Sequence, residues 1–247
     1  VSTSWSWAAL RGRAVLETPE VLVLDKPPGI SVTGERHDVD LVELAAAEGE
    51  TLYPVHRIDK VTSGLVLLAR TLPAHGPLTR QFADRTATKA YLAVVEGTGL
   101  PQRWTIDLPL GVGRKNTVRI AAPRESLIFD AQASCWGVAE SDVRPGRKSY
   151  PSVTHLHRVA EADGRTLVVA NPVSGRRHQI RVHLAWTGAP IVGDPLFRGE
   201  GRTFLHSWRL RLPAGEGLDV TAVPDEEFLQ AFPGARFDDV WQALAAR

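Results

Sequence analysis

The sequence predicts a mixed α/β chain in which strands outweigh helices, and three observations carry that expectation. Residues Leu65–Ala69 form an unbroken apolar run between Gly64 and Arg70, too short for a helix and bounded by a turn residue. Stretches of strand length with alternating or clustered apolar residues recur at 87–97, 153–159, 166–171 and 204–212. Shorter segments with helical spacing lie among them, at 40–47, 77–84 and 177–186.

Taken in order, residues 1–18 carry Trp5 and Trp7 without periodicity and read as an extension or first edge element. Val21–Leu24 is a short strand ending in Asp25-Lys26-Pro27-Pro28-Gly29, where two prolines and a glycine force a rigid bend. Asp40–Ala47 places Leu41, Leu44 and Ala45 on one helical face, and Pro77–Asp84 reads as a second short helix after the core strand. In 87–97 one strand face carries Tyr91, Ala93 and Val95, the other Ala90, Leu92 and Val94. Residues 101–150, rich in Gly, Pro and Arg, read as short strands joined by exposed loops. A helix over 177–186 is expected with Ser174 as its N-cap, stopped by Gly188-Ala189-Pro190. Ile191–Phe197 contains a turn, Phe204–Leu212 alternates as a strand, and Glu226–Arg247 reads as a helical tail.

Composition narrows the functional classes. At 247 residues, 43% hydrophobic and 23% charged, the chain can bury a sizeable core as one large domain or two small ones. Its apolar runs fall far short of the roughly 18 to 20 residues that span a bilayer, and the N-terminal stretch lacks a leader pattern, so no membrane association and a cytoplasmic location are expected. Cys135 is the only cysteine, which excludes an intrachain disulfide and a multi-cysteine zinc site. His178 and His183 are five apart rather than four, and there is no HExxH, so no metal is expected. With no phosphate-binding loop, no GxSxG elbow and no dinucleotide fingerprint, no cofactor is expected either. The net charge is only +1, but positive residues cluster at Arg114/Lys115/Arg119, Arg144/Arg147/Lys148 and Arg176/Arg177/Arg181. On charge alone an RNA surface and ordinary solvated faces are equally open.

The stretch most able to carry chemistry is PVHRIDKVTSGLVLLAR, residues 54–70. Asp59 lies there among His56, Arg57, Lys60, Thr62 and Ser63, on a loop anchored by the core strand, where a carboxylate is rigidly held near the surface. A turn-capping ion pair with Arg57 or Lys60 is the plainer alternative. On the helix that follows Gly175, Arg177, Arg181 and Leu184 are spaced i, i+4, i+7 and share a face that can meet a carboxylate and a flat ring together. Arg181 is the expected partner of Asp59, since a guanidinium keeps its charge and aims a carboxylate in a fork.

The segments VLVLDKPPGISV, PVHRIDKVTSGLVLLAR, ATKAYLAVVEG, SGRRHQIRVHLAWTGAPIVGDPLF and FLHSWRLRL resemble, in order, the successive motifs of the RluA-type pseudouridine synthases, from about Val21 to Leu212. The combination of HRxD with TSG, KxYxA and HQIRVHL is far more specific than any one pattern. Carried over by position, the resemblance makes Asp59 the catalytic aspartate, Tyr91 the tyrosine lying against the target uracil, and Arg181 the basic residue paired with the aspartate. Leu184 becomes the apolar contact to the base, and Arg57 the arginine that in some members enters the space left by a flipped nucleotide. His56, Lys89, Arg177 and His178, inside the same motifs, are further expected substrate contacts. Two departures stand out, Arg177 where many members have Thr and Trp186 where His is frequent.

The resemblance implies a mixed α+β fold, with a long bent, largely antiparallel sheet flanked by helices around a central cleft. It also implies isomerisation of specific uridines in ribosomal or transfer RNA, with RNA as the partner and no nucleotide cofactor; a monomer is expected. Whether Asp59 attacks the ribose or abstracts a proton from it stays open here. Family members often carry a small RNA-binding domain before the first strand; residues 1–20 are expected to be only an extension of a catalytic domain at 21–247. Arg176, Arg177, Arg198, Arg202 and Arg209 are candidates for phosphate contacts. A second class of function, a non-catalytic RNA-binding or chaperone protein with the same fold, would not require Asp59, Tyr91 and Arg181 together.

Overall fold

The structure is a computed structural model that describes residues 5–34, 39–113, 117–144, 148–213 and 217–232. In chain order its helices and strands are α1 (Trp7–Arg11), β1 (Ala14–Glu17), β2 (Val21–Lys26), α2 (Leu41–Ala47), β3 (Tyr53–Pro54), β4 (Ser63–Ala69), α3 (Leu72–Ala83) and β5 (Thr88–Glu96). There follow β6 (Arg103–Asp107), β7 (Leu110–Val112), β8 (Val118–Ile120), β9 (Ile128–Asp130), β10 (Cys135–Gly137), β11 (Ser149–Tyr150), β12 (Val153–Ala162) and β13 (Arg165–Pro172). The chain continues through α4 (Gln179–Trp186), β14 (Leu205–Leu212), β15 (Leu218–Thr221) and α5 (Glu226–Gln230). This is the mixed α+β class that the sequence predicts, dominated by strands. The helical tail expected over 226–247 is seen as α5; residues 233–247 lie outside the described residues.

The chain gathers into two compact units, one made of Val1–Tyr91 and Leu205–Glu226, the other of Leu92–Phe204 and Glu227–Arg247. In the first unit the strand order is β1-β2-β4-β14, with β3 against β4 and β15 against β14. Strand β4 is antiparallel to β2 and parallel to β14, and all seven of its residues are buried. That explains its unbroken apolar run, since a strand covered on both faces has no solvent side to alternate with. Val23, Leu65, Leu67, Leu210 and Leu212 form one core with Leu78 and Phe82 of α3 packed against it.

Residues 7–17, read from the sequence as an extension or a first edge element, are built into this unit, with β1 at the edge of the strand order. Trp7 and Leu10 are buried, the Trp7 indole N–H donates to Glu50 Oε2 at 3.0 Å, and β1 pairs with β2. Helix α2 starts where expected, because Asp40 and Glu43 make a reciprocal capping box. Helix α3 starts five residues before the expected Pro77, which lies inside it. Thr71 is the true cap, its Oγ1 accepting the Ala74 N–H at 3.4 Å, and that start signal prevails over the proline.

In the second unit the order is β13-β12-β6-β10-β9, with a separate three-stranded sheet β11-β7-β8. Helix α4 begins at Gln179, two residues later than expected, because His178 adopts a left-handed conformation with φ 57°. Ser174 does not cap it; its hydroxyl donates to Gln179 Oε1 at 2.7 Å. Seven of the eight α4 residues are buried, so this is a core helix and not an amphipathic one.

Candidate active site

The Asp59 loop is fastened on both sides. Downstream, β4 begins at Ser63, and the Thr62 N–H closes a turn onto the Asp59 carbonyl at 3.0 Å. Upstream, the Val55 N–H donates to the Leu67 carbonyl at 3.2 Å, and the Leu67 N–H donates to His56 Nε2 at 3.0 Å. The His56 ring stacks on Phe82 with centroids 4.6 Å apart. Burial, together with the Lys89 charge, pushes the imidazole down to about 3, which keeps Nε2 unprotonated and able to accept. His56, expected to touch substrate, thus uses this nitrogen to tie the loop to β4. Arg57 beside it is exposed.

The prolyl bend after β2 is the second fastening. Lys26 is fully buried, and its ammonium donates to the carbonyls of Pro27 at 2.7 Å, Ile30 at 2.8 Å and Lys60 at 3.4 Å. The Gly29 N–H also donates to the Lys60 carbonyl, at 2.8 Å, with Gly29 at φ 93°. The bend and the residue after Asp59 are therefore one hydrogen-bonded structure. Burial pushes the Lys26 ammonium down to about 7, opposed by the negative charges of Asp59 and Asp25.

Tyr91, on β5, feels the charge of the same carboxylate. It is buried, and its hydroxyl is hydrogen-bonded to the Ser207 side chain. Burial drives the phenol up to about 12; the Ser207 hydrogen bond pulls the other way and the Asp59 charge adds to the rise. Asp59 is thus a carboxylate acting electrostatically on a buried ammonium and a buried phenol within one unit. Lys89, two residues before Tyr91, is also buried; desolvation and Arg85 lower it to about 8, and its Nζ lies 5.8 Å from the Phe82 ring centre.

Strand β14 supplies the remaining wall. The Ser63 hydroxyl donates to His206 Nδ1 at 2.9 Å, while His206 Nε2–H donates to the Ala222 carbonyl at 2.9 Å. Next to this, Gly64 pairs with Ser207 in the parallel register. Gly64 has φ 103°, and a Cβ there would sit 2.2 Å from the Ser207 carbonyl oxygen, so only glycine fits the approach.

In the second unit, Arg181 is buried on α4 and pairs with Asp194, which is itself fully buried. The fork is bidentate, Nε to Oδ2 at 2.8 Å and Nη2 to Oδ1 at 2.5 Å, and the Leu196 N–H donates to Oδ1 at 2.9 Å. Arg181 is therefore no part of an exposed basic patch, and Asp194 is a partner that the sequence reading did not provide. Leu184, the residue expected to contact the base, is fully buried on α4. Arg177 precedes α4 and is exposed, so it does not share the helix face with Arg181 and Leu184; His178 is half-buried at the left-handed turn.

Two of the expected phosphate-binding arginines have protein partners. Arg209 is held by Asp219 at 2.8 and 3.0 Å, and Arg202 lies over Phe204 and Phe228 and reaches Glu227 at 3.2 Å. Arg114, Lys115 and Arg147 lie outside the described residues. Sequence reading missed Lys26, Ser207 and Asp194. The signal for the first was a lysine inside a Pro-Gly bend, and for the last an acid following a basic helix; nothing marked Ser207.

Residues 20–186 match the family described as RNA pseudouridylate synthase. The chain is 34% identical over 224 residues to an uncharacterized RNA pseudouridine synthase of Zymomonas mobilis, covering 86% of this chain and 93% of that one. It is 31% identical over 180 residues to the dual-specificity RNA pseudouridine synthase RluA of Escherichia coli, covering 72% and 73%. The solved structure of human RNA pseudouridylate synthase domain containing 4 superposes with a TM-score of 0.72 at 23% identity, over 91% of this chain and 93% of that one, which is a likeness of fold. The chain belongs to the RNA pseudouridylate synthase family, isomerases that convert uridine in RNA to pseudouridine.

Proposed function

We propose that this chain isomerises specific uridines in ribosomal or transfer RNA, with Asp59 acting at the ribose, Tyr91 against the uracil, and Arg181 as the basic residue of the site. The reaction breaks the bond from uracil N1 to the ribose, turns the base and bonds carbon 5 to the same sugar carbon. The proton that carbon 5 loses is matched by the one N1 gains, so no reagent is consumed. Such chemistry needs a fixed carboxylate and a shielded aromatic face. The observation that carries the reading is the placement of Asp59, on a loop pinned through Lys26, Gly29 and His56, with its charge felt by Tyr91.

Arg57, exposed beside Asp59, is suited to enter the stack when a base is extruded, a step that costs a few kcal/mol and is cheapest in loops. Exposed Arg176 and Arg177 are suited to phosphate contacts. The protein acts as a monomer in the cytoplasm in this reading.

The test is Asp59→Asn, which keeps the size of the side chain and removes its charge and nucleophilic oxygen. Release of tritium from RNA labelled at uridine carbon 5 should vanish while filter binding of the same RNA persists or tightens. Release near the wild-type rate removes Asp59 from the mechanism. Loss of both release and binding assigns the residue to folding.

A further inference from the structure

Ser207 is a buried polar residue, 3% exposed, in the middle of β14, at a position where alanine would fill nearly the same volume without a hydroxyl to satisfy. A buried hydroxyl that lacks a partner costs about 1 to 3 kcal/mol, so the serine here needs a hydrogen-bond partner. Strand β14 lies beside β5 in the sheet, which brings Ser207 next to Tyr91, and the partner of its hydroxyl is the Tyr91 hydroxyl.

The backbone around Ser207 is unusually well pinned. His206, which points to the opposite face, is clamped between the Ser63 hydroxyl and the Ala222 carbonyl, both at 2.9 Å. The Ala222 N–H donates to the Trp208 carbonyl at 2.8 Å. On the other side, Gly64 approaches the Ser207 backbone so closely that no Cβ could intervene. Residues 206, 207 and 208 are thus fixed from β4 and from the segment after β15, and the hydroxyl of Ser207 has a defined origin.

We propose that Ser207 is a positioning residue for Tyr91: its hydroxyl donates to the phenol oxygen and fixes where that oxygen stands beside Asp59. The inference rests on the reading of Asp59 and Tyr91 given above and extends it to a residue that touches neither uracil nor ribose. A donor on the phenol oxygen has two consequences. It occupies one lone pair of the phenol oxygen and so directs the phenol's own proton away from Ser207, and it holds the ring at a fixed height and orientation.

The experiment uses the full chain in five forms: wild type, Ser207→Ala, Ser207→Thr, Tyr91→Phe and the Ser207→Ala/Tyr91→Phe double variant. Single-turnover tritium release is measured with excess protein on RNA labelled at uridine carbon 5 and isolated from cells lacking this protein; filter binding of that RNA and urea unfolding are run alongside. Ser207→Ala should slow release about five- to tenfold, the worth of one hydrogen bond that positions the ring against the uracil, with RNA affinity unchanged. Ser207→Thr, which keeps the hydroxyl, should restore most of the rate.

In urea unfolding, Ser207→Ala should lower the folding equilibrium constant about fivefold when Tyr91 is present, and leave it unchanged or raise it in the Tyr91→Phe background, where the serine hydroxyl has already lost its partner. Additive losses in the two backgrounds would overturn the proposal, since a packing role is indifferent to that hydroxyl. Wild-type release by Ser207→Ala, or a threonine that does not rescue, would also overturn it. Asp59→Asn serves as the separate control: if it still releases tritium, the reading of the site fails, while the unfolding cycle continues to report on Ser207 and Tyr91 independently.

Discussion

Arg181 and Asp194 are locked edge to edge inside the second unit, the guanidinium 4% exposed and the carboxylate buried completely. The spacing of Arg177, Arg181 and Leu184 predicts that Arg181 serves Asp59; the structure adds a partner thirteen positions along the chain that takes its Nε and Nη2 edge. Removing one member of such a buried pair typically costs about 3 to 5 kcal/mol, because the other charge keeps its desolvation penalty and loses its counter-charge. Asp194→Ala is therefore expected to lower stability by that order in urea unfolding, and Arg181→Met by a similar amount. Combining them should cost less than the sum of the two. Arg181→Met is also expected to damage turnover more than RNA binding; wild-type turnover at saturating RNA would limit Arg181 to the Asp194 pair.

Gly64→Ala is expected to be among the most damaging single substitutions in the chain. It places a methyl group 2.2 Å from the Ser207 carbonyl oxygen at a backbone φ of 103°. Strain and displacement of β14 together are worth upwards of about 3 kcal/mol. Thermal unfolding followed by circular dichroism would show it; a melting temperature within a degree or two of wild type would contradict the close approach.

Two histidines should make the fold acid-sensitive. His56 accepts a backbone N–H at Nε2, and His183 sits between the Thr154 hydroxyl at 2.9 Å and the Leu108 carbonyl at 3.0 Å. Burial lowers them to about 3 and about 4. The unfolded chain binds these protons near pH 6.5 and the folded chain does not, so their stabilisation is complete above pH 6.5 and is lost as the pH falls towards 4. The two losses together should be on the order of 5 kcal/mol between those limits, read from urea midpoints. His56→Gln keeps an acceptor for Leu67 without a titrating ring, and should flatten part of the slope.

Lys26→Met should uncouple the bend from the Asp59 loop. Three buried carbonyls lose a common donor, for a cost of about 2 to 4 kcal/mol. Turnover is expected to fall while RNA affinity changes little, as Lys26 is buried and cannot meet phosphate. A variant that loses RNA binding and keeps turnover at saturating RNA would contradict this.

Much of this protein is legible in the order of its residues. The five-residue apolar run after Gly64 is legible as a strand because it is too short for a helix, and it lies in a strand buried on both faces. The capped start of α2 follows from Asp40 and Glu43, local chemistry that acts within one helical turn. The membership of the family is legible in the same way, because its motifs recur here in order along most of the chain.

Tertiary structure decided the partners. A carboxylate's neighbours depend on which strands lie side by side, and neither the Lys26 ammonium reaching the Lys60 carbonyl nor the Ser207 hydroxyl on Tyr91 has a periodic signature. Residues 7–17 show no pattern because their role is set by contacts with Glu50 and β2, far away in sequence. The start of α4 departs from its sequence signal for a related reason: His178 holds a positive φ that residue type alone does not announce. What a sequence determines by itself is the period and propensity of each element and the identity of its reactive groups. The pairing of buried charges and hydroxyls is settled only when the core closes around them, because only then does an unmatched group carry its full desolvation cost.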